Sequence, residues 1–269
     1  MLQINGQSLQ VDDVVAVARG EVVTLDPAAL PAMERSRAAV EQLVADGRIA
    51  YGITTGFGRF KDRFIDPGQV AQLQLNLVRS HAAGVGPELD EATVRAMLLV
   101  RANTLALGLS GVRPVVVQTL VDLLNHRIHP CIPSQGSLGA SGDLAPLAHL
   151  ALALIGEGDV TVDGVRMRGA DAMARAGITP PVLQAKEGLA LLNGTAMMVG
   201  LGALLVRRAI NLALTADVAA ALPAGSAPRH RLRLRRPCPR GGPASPPDRL
   251  RRVLAQVAGR QRAGPGGHG

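Results

Sequence analysis

The chain has 269 residues, enough for one large domain or two small ones, and is 47% hydrophobic but only 1% aromatic. With three Phe, one Tyr and no Trp, the core must be built from Ala, Leu and Val, which favours close-packed helices over sheets. The net charge of +8 is unevenly placed: residues 223–269 hold eleven Arg and one acid, Asp248, and carry +10, so residues 1–222, with 18 basic and 20 acidic side chains, are mildly acidic.

In chain order, residues 2–11 read as a small β-hairpin around Asn5-Gly6, a dipeptide that readily supplies positive φ. Asp26-Pro27 looks like the cap and first position of a helix running through Ala28–Ala45 and stopping at Gly47. Residues 51–68 contain Gly52, Gly56, Gly58, Pro67 and Gly68 and read as a loop. Helical patterns follow at 69–83, 90–109 and 113–127. Pro130 and Pro133 then bracket a non-helical stretch, and a helix is predicted from Asp143 to Ile155, with Ser141 or Asp143 as its cap. Residues 160–167 form a second predicted hairpin with Asp163-Gly164 at its turn.

The longest helix pattern runs from Glu187 to Leu222. Its uncharged stretch 188–206 has the length of a membrane span. Asn193, Thr195 and four glycines within it favour burial inside a helical bundle instead.

The tail from Pro223 has eight Gly, eight Pro and eleven Arg in 47 residues and cannot bury enough apolar area to order itself. It interrupts a helical pattern abruptly and uses residues of GC-rich codons. The expected organisation is therefore a folded part, 1–222, and a disordered or out-of-frame part, 223–269. A nucleic-acid-binding basic arm is the weaker alternative, because Lys and interleaved aromatics are missing.

Cys131 and Cys238 lie far apart in different segments, so neither a disulfide framework nor a metal-ligand spacing is present. The N-terminus lacks a basic region followed by an apolar run, so no signal peptide is read there, and a cytoplasmic location is expected.

Four stretches could carry chemistry. Gly136-Ser137-Leu138-Gly139-Ala140-Ser141-Gly142-Asp143 precedes a helix and, by pattern alone, is a capped turn. Tyr51-Gly52-Ile53-Thr54-Thr55-Gly56-Phe57-Gly58 carries the only tyrosine, and its glycines match neither phosphate-loop nor dinucleotide spacing. Ser80-His81 stands at a helix end, where a histidine is commonly a cap or solvated. Glu187-Gly188-Leu189-Ala190-Leu191-Leu192-Asn193-Gly194-Thr195 places an Asn in an apolar helix, which costs stability unless it is paired. His126 and His129 are read at a helix end, and His149 as a structural residue on a helix.

Together these four strings, in this order, resemble the histidine and phenylalanine ammonia-lyases over most of residues 2–222. The resemblance implies a mainly α fold, a helical bundle of the ammonia-lyase type with the small hairpins noted above. It implies that Ala140-Ser141-Gly142 cyclises unaided to a 4-methylidene-imidazole-5-one (MIO) electrophile. The Gly142 nitrogen would attack the Ala140 carbonyl with loss of water, and Ser141 would lose its hydroxyl as a second water. Gly142 offers the least hindered nitrogen and tolerates a strained turn.

By the same resemblance Tyr51 is an acid/base or positioning group, and Asn193 hydrogen-bonds the ring. Ser80 and His81 recognise the substrate; this pair resembles the histidine-specific members, so L-histidine is expected to give trans-urocanate and ammonia. A tyrosine or phenylalanine ammonia-lyase or aminomutase is the alternative. No metal, nucleotide, membrane or nucleic-acid partner is expected. Family members are homotetramers whose active sites combine three subunits, and they continue well beyond residue 222, so this chain alone is expected to be inactive and poorly folded.

Overall fold

A computed structural model describes residues 1–56, 67–139 and 142–226. It is mainly helical, and contact clustering separates Met1–Leu205 from Val206–Gly269. Everything considered below lies in the first of these units, apart from the part of the last helix beyond Leu205.

The core is organised around helix α4 (Glu91–Ala106), which is buried nearly all round: Val94, Met97, Leu98, Leu99, Ala102 and Leu105 are all inaccessible. Asp90 starts it, its carboxylate accepting the Thr93 N–H at 2.7 Å. Helices α1 (Val11–Ala18) and α5 (Pro114–Asn125) pack on it through Val14, Val17, Leu120 and Leu124. An almost wholly aliphatic core of this kind is what the composition predicts.

The predicted hairpin at 2–11 does not form. Strand β1 (Leu2–Ile4) instead pairs in parallel with β2 (Val23–Leu25), Leu2 opposite Val23 and Ile4 opposite Leu25. The Asn5 side chain accepts the N–H groups of Gln7 and Ser8, a local turn that leads the chain away from itself. Val11, Val14, Val15 and Val17 then follow helical rather than alternating spacing, and α1 starts where the Asp13 carboxylate accepts the Gln10 N–H at 2.8 Å.

The Asp26-Pro27 start is present, as a 3₁₀ turn with the Asp26 carboxylate accepting the Ala28 N–H, before α2 (Leu30–Ala45). The predicted 69–83 helix is α3 (Val70–His81). It is followed by β3 (Val85–Glu88), which pairs antiparallel with β5 (Pro133–Gln135). Strand β4 (Ile128–Pro130) joins β6 (Asp159–Val162) and β7 (Val165–Arg168), and β6–β7 is the predicted hairpin at Asp163-Gly164. His129 therefore lies in β4, not at a helix end, whereas His126 is the C-cap of α5. Helix α6 (Leu144–Leu154) ends one residue before Ile155, and the short α7 (Gly169–Arg175) had no periodicity to reveal it.

The predicted continuous helix 187–222 is two helices, α8 (Glu187–Leu192) and α9 (Ala196–Ser226), separated at Asn193-Gly194-Thr195. α9 runs past the expected boundary at 222. Burial along the 188–206 stretch is partial: Ala196, Met197 and Leu204 are inaccessible, whereas Met198, Val199 and Leu205 are exposed. By length and composition the apolar run here is able to cross a membrane, with 39% of it buried inside the protein.

Helices α3, α6 and α8 pack on one another. The start of α8 is fixed by Glu187, which is fully buried. Its carboxylate accepts the Arg113 N–H, Nε and Nη2 and the Gln184 N–H, all at 2.8–3.0 Å. The Gln74 side chain of α3 caps α8 by accepting the Gly188 N–H at 2.9 Å. Replacing Glu187 with Ala orphans four donors, one partner being a partly exposed arginine. A loss of about 2–3 kcal/mol in urea unfolding is expected, against less than about 0.5 kcal/mol for the exposed Glu157→Ala.

Candidate active site

The segment before α6 makes a tight turn in which Gly139 and Gly142 face each other, with Gly142 N 3.5 Å from the Gly139 carbonyl and φ values of +75° and +92°. Ala140 and Ser141, two of the expected catalytic residues, lie outside the described residues. Gly142 is wedged against Gly194: a Cβ on it would overlap the Gly194 carbonyl. Only glycine tolerates both that φ and that contact.

Asp143 does not cap its own helix, although it stands at the N-cap position of α6. Its N–H donates to the Gly194 carbonyl at 2.7 Å. Its carboxylate, fully buried, accepts from Ser137 Oγ at 2.8 Å and from the Met198 N–H at 3.0 Å. Met198 is the third residue of α9, so Asp143 caps the neighbouring helix, where a negative charge is favoured by the dipole. The Ser141-or-Asp143 cap of α6 is thereby corrected for Asp143: the side chain crosses to α9.

Asn193 was expected inside a continuous helix. It is an exposed residue in extended conformation, φ −91° and ψ 104°, in the gap between α8 and α9. Its carbonyl accepts from Arg101 Nη2 at 3.0 Å. The gap exists because Gly194 is held from both sides, by Asp143 and Gly142 at its carbonyl and by the Arg101 guanidinium where a Cβ would be. A helical path through 193–195 would break those contacts.

Ser80 and His81 end α3. Ser80 Oγ donates to the Leu77 carbonyl at 2.9 Å and lies 3.1 Å from His81 Nδ1, and His81 Nδ1 itself is 2.9 Å from the same carbonyl. A carbonyl only accepts, so Nδ1 is the donor in that contact and Nε2 is left for another group. Just beyond, the Gly84 N–H donates to His149 Nε2 at 3.1 Å. His149 thus ties the chain after His81 to α6, as does the β3–β5 pair immediately before the glycine turn.

Tyr51 is exposed, whereas Gly52–Gly56 behind it are buried. Ile53 packs with Val40, Val70 and Ala185, the last just ahead of α8. The remaining residues of that loop motif, Phe57 and Gly58, lie outside the described residues. The structure therefore sets Gly142 against Gly194, the neighbour of Asn193, ties Ser80-His81 to this turn through β3–β5 and His149, and connects Tyr51 only through the packing of Ile53.

The aromatic amino acid lyase family model matches residues 9–226. The chain belongs to the aromatic amino acid lyase family. Histidine ammonia-lyases of Gloeobacter violaceus and Chloroflexus aurantiacus are 59% and 55% identical to it over 222 and 223 residues, 82% and 81% of this chain. Among solved structures, histidine ammonia-lyase from Trypanosoma cruzi superposes with a TM-score of 0.76 at 39% identity, over 81% of this chain and 42% of that one. Tyrosine aminomutase from Streptomyces globisporus does so at 0.77 and 43%, over 81% of this chain and 41% of that one. The chain spans 43% of the length of both curated lyases.

Within this family frame, sequence reasoning missed Arg101, Ser137 and the crossing of Asp143. A buried arginine on a core helix carries no motif. The only hint of the helix break was the Gly194-Thr195 pair after Asn193.

Two outcomes follow from the geometry. Gly142→Ala should cost about 2–4 kcal/mol by urea unfolding, from strained φ plus a backbone clash. Gly177→Ala, with similar φ (+71°) and open space, should cost only about 1–2 kcal/mol. Burial pushes His149 below the usual histidine pKa. Its unfolded form therefore binds a proton more readily, so its contribution is complete above about pH 6.5 and fades as pH falls through the lowered folded value. His149→Gln should flatten the loss of stability between about pH 7 and 5. The remaining slope belongs partly to His129, also lowered by burial.

Proposed function

We propose that this chain is the N-terminal portion of a histidine ammonia-lyase, a carbon–nitrogen lyase that releases ammonia from L-histidine to give trans-urocanate. The observation that carries this reading is Gly142 pressed against Gly194 beside Asn193, in a member of the aromatic amino acid lyase family whose curated relatives act, by name, on histidine.

The reading assigns the turn 139–142 to formation of the MIO group from Ala140-Ser141-Gly142. The Gly142 nitrogen bonds to the Ala140 carbonyl carbon and one water leaves; the Ser141 hydroxyl and its α-hydrogen leave as the second. The fit is supported by Gly142 itself, whose site has room for no side chain and whose φ of +92° only glycine adopts at low cost. The group supplies an electrophile that converts the substrate amine into a leaving group.

The chain's own residues then have the following tasks. The Asn193 amide, exposed at the α8–α9 gap, donates toward the ring. His81 presents Nε2 as an acceptor to the substrate imidazole, with Ser80 fixing the ring from behind. Tyr51 takes part in proton transfer or positioning at the β-carbon. Further active-site groups and the tetramer belong to the portion that the longer relatives possess. A soluble, cytoplasmic protein is the corresponding expectation. The tail from 227 lies outside the described residues, and 223–269 is proposed as a part separate from the lyase domain.

Intact mass of the purified chain tests the reading. A loss of two waters, absent in Ser141→Ala, is expected if the turn cyclises. An unmodified mass in a folded wild-type chain refutes self-cyclisation in this chain. In a full-length relative carrying residues 1–222 of this chain, urocanate formation with His81→Leu as control checks the substrate. Turnover of tyrosine or phenylalanine instead would select the sister activity.

A further inference from the structure

Among the described residues three arginines are buried, and in two of them every guanidinium nitrogen has a partner. Arg37 donates to the carbonyls of Gly111 and Ala185, to Gln184 and to Glu41. Arg95 donates to the carbonyls of Val17, Leu124 and Glu21 and contacts His129. Arg101 differs. It is 3% exposed, donates among the described residues only to the Asn193 carbonyl, and its Nε is left without a partner there. No carboxylate bonds it among the described residues, and burial alone lowers its pKa to about 10. A buried cation left this way is costly, and removing it from water without a counter-ion is rare.

Arg101 lines a cavity of about 460 Å³ between α1, α4 and the start of α9. The wall contains Gln10, Asn103, Thr104 and Thr195 but no acidic side chain. The first residue of α9, Ala196, also lines it, while the Asp143 carboxylate already caps that helix end through the Met198 N–H. Gly194 separates this cavity from Gly142, and neither the glycine turn nor Ser80-His81 borders it.

We propose that this cavity is a binding site for a small oxyanion, a carboxylate or phosphate group, with Arg101 as its counter-ion. The flat guanidinium fork matches two oxygens of either group. The bound anion neutralises Arg101 while Nη2 stays on the Asn193 carbonyl, so occupancy stiffens the α8–α9 gap. The cavity shares Asn193 with the site proposed above, but the proposal requires neither cyclisation nor turnover.

The test is titration of the purified chain with inorganic phosphate and, separately, with malonate, at ionic strength held constant with chloride. Calorimetry and thermal unfolding give the readouts. Saturable binding and a rising Tm are expected, weakened at least about tenfold in Arg101→Met. Preference for malonate over phosphate, or the reverse, separates the two sources of the oxyanion. Thr104→Glu, three residues along the same helix face, places a carboxylate beside Arg101 and should abolish binding without removing the arginine. No saturable binding to the folded wild type, or equal binding in either variant, overturns the proposal.

Discussion

A single residue joins the two motif-bearing segments on which the site depends. Asp143 offers its N–H to Gly194 and its carboxylate to the first turn of α9, across 51 and 55 residues of chain. The Asp143 side chain is itself fully buried, and its carboxylate also holds Ser137 at the start of the glycine turn. A buried carboxylate persists only when its acceptors are filled, and here each oxygen has a donor. The turn, the helix break and the first residues of α9 are thus one hydrogen-bonded unit.

Around that unit the fold supplies stiffness in layers. The Glu187 cluster fixes where α8 begins, Gln74 caps it, and Arg101 fixes where it stops. The resulting gap leaves Asn193 exposed at a defined place, whereas a continuous helix would have turned it with the helical phase. Positions with extended backbone flanked by two short-range clamps are suited to presenting a side chain, because little entropy remains to be lost there.

Much of this was legible in the residues. Aliphatic composition pointed to helices, and apolar periodicity located α2, α3, α4, α5 and α6 to within a few residues. Asp163-Gly164 marked the β6–β7 hairpin. What could not be read was tertiary in origin. Asn5-Gly6 carries a hairpin signal, but the Asn5 side chain closes a local turn and the partner strand comes from 23–25. The run 187–222 carries an unbroken helical signal, and the break at 193–195 is imposed by Arg101, Asp143 and Gly142 from elsewhere in the chain. For the site, the glycine turn and Asn193 were visible through the family resemblance, while the environment that holds them was not. Arg101, which holds the Asn193 carbonyl, is spaced like any other position of a core helix.

The sequence separation of the Asp143 contacts also sets an order of events. While the chain is being made, α6 and the glycine turn emerge well before Gly194 and Met198. Until then Asp143 has no α9 to cap, and Gly142 has no surface pressing on it. The conformation of the turn is therefore a late acquisition of the growing polypeptide, gated by the arrival of the ninth helix. A chain stopped between residues 143 and 193 would contain the whole glycine motif and still lack the support that shapes it.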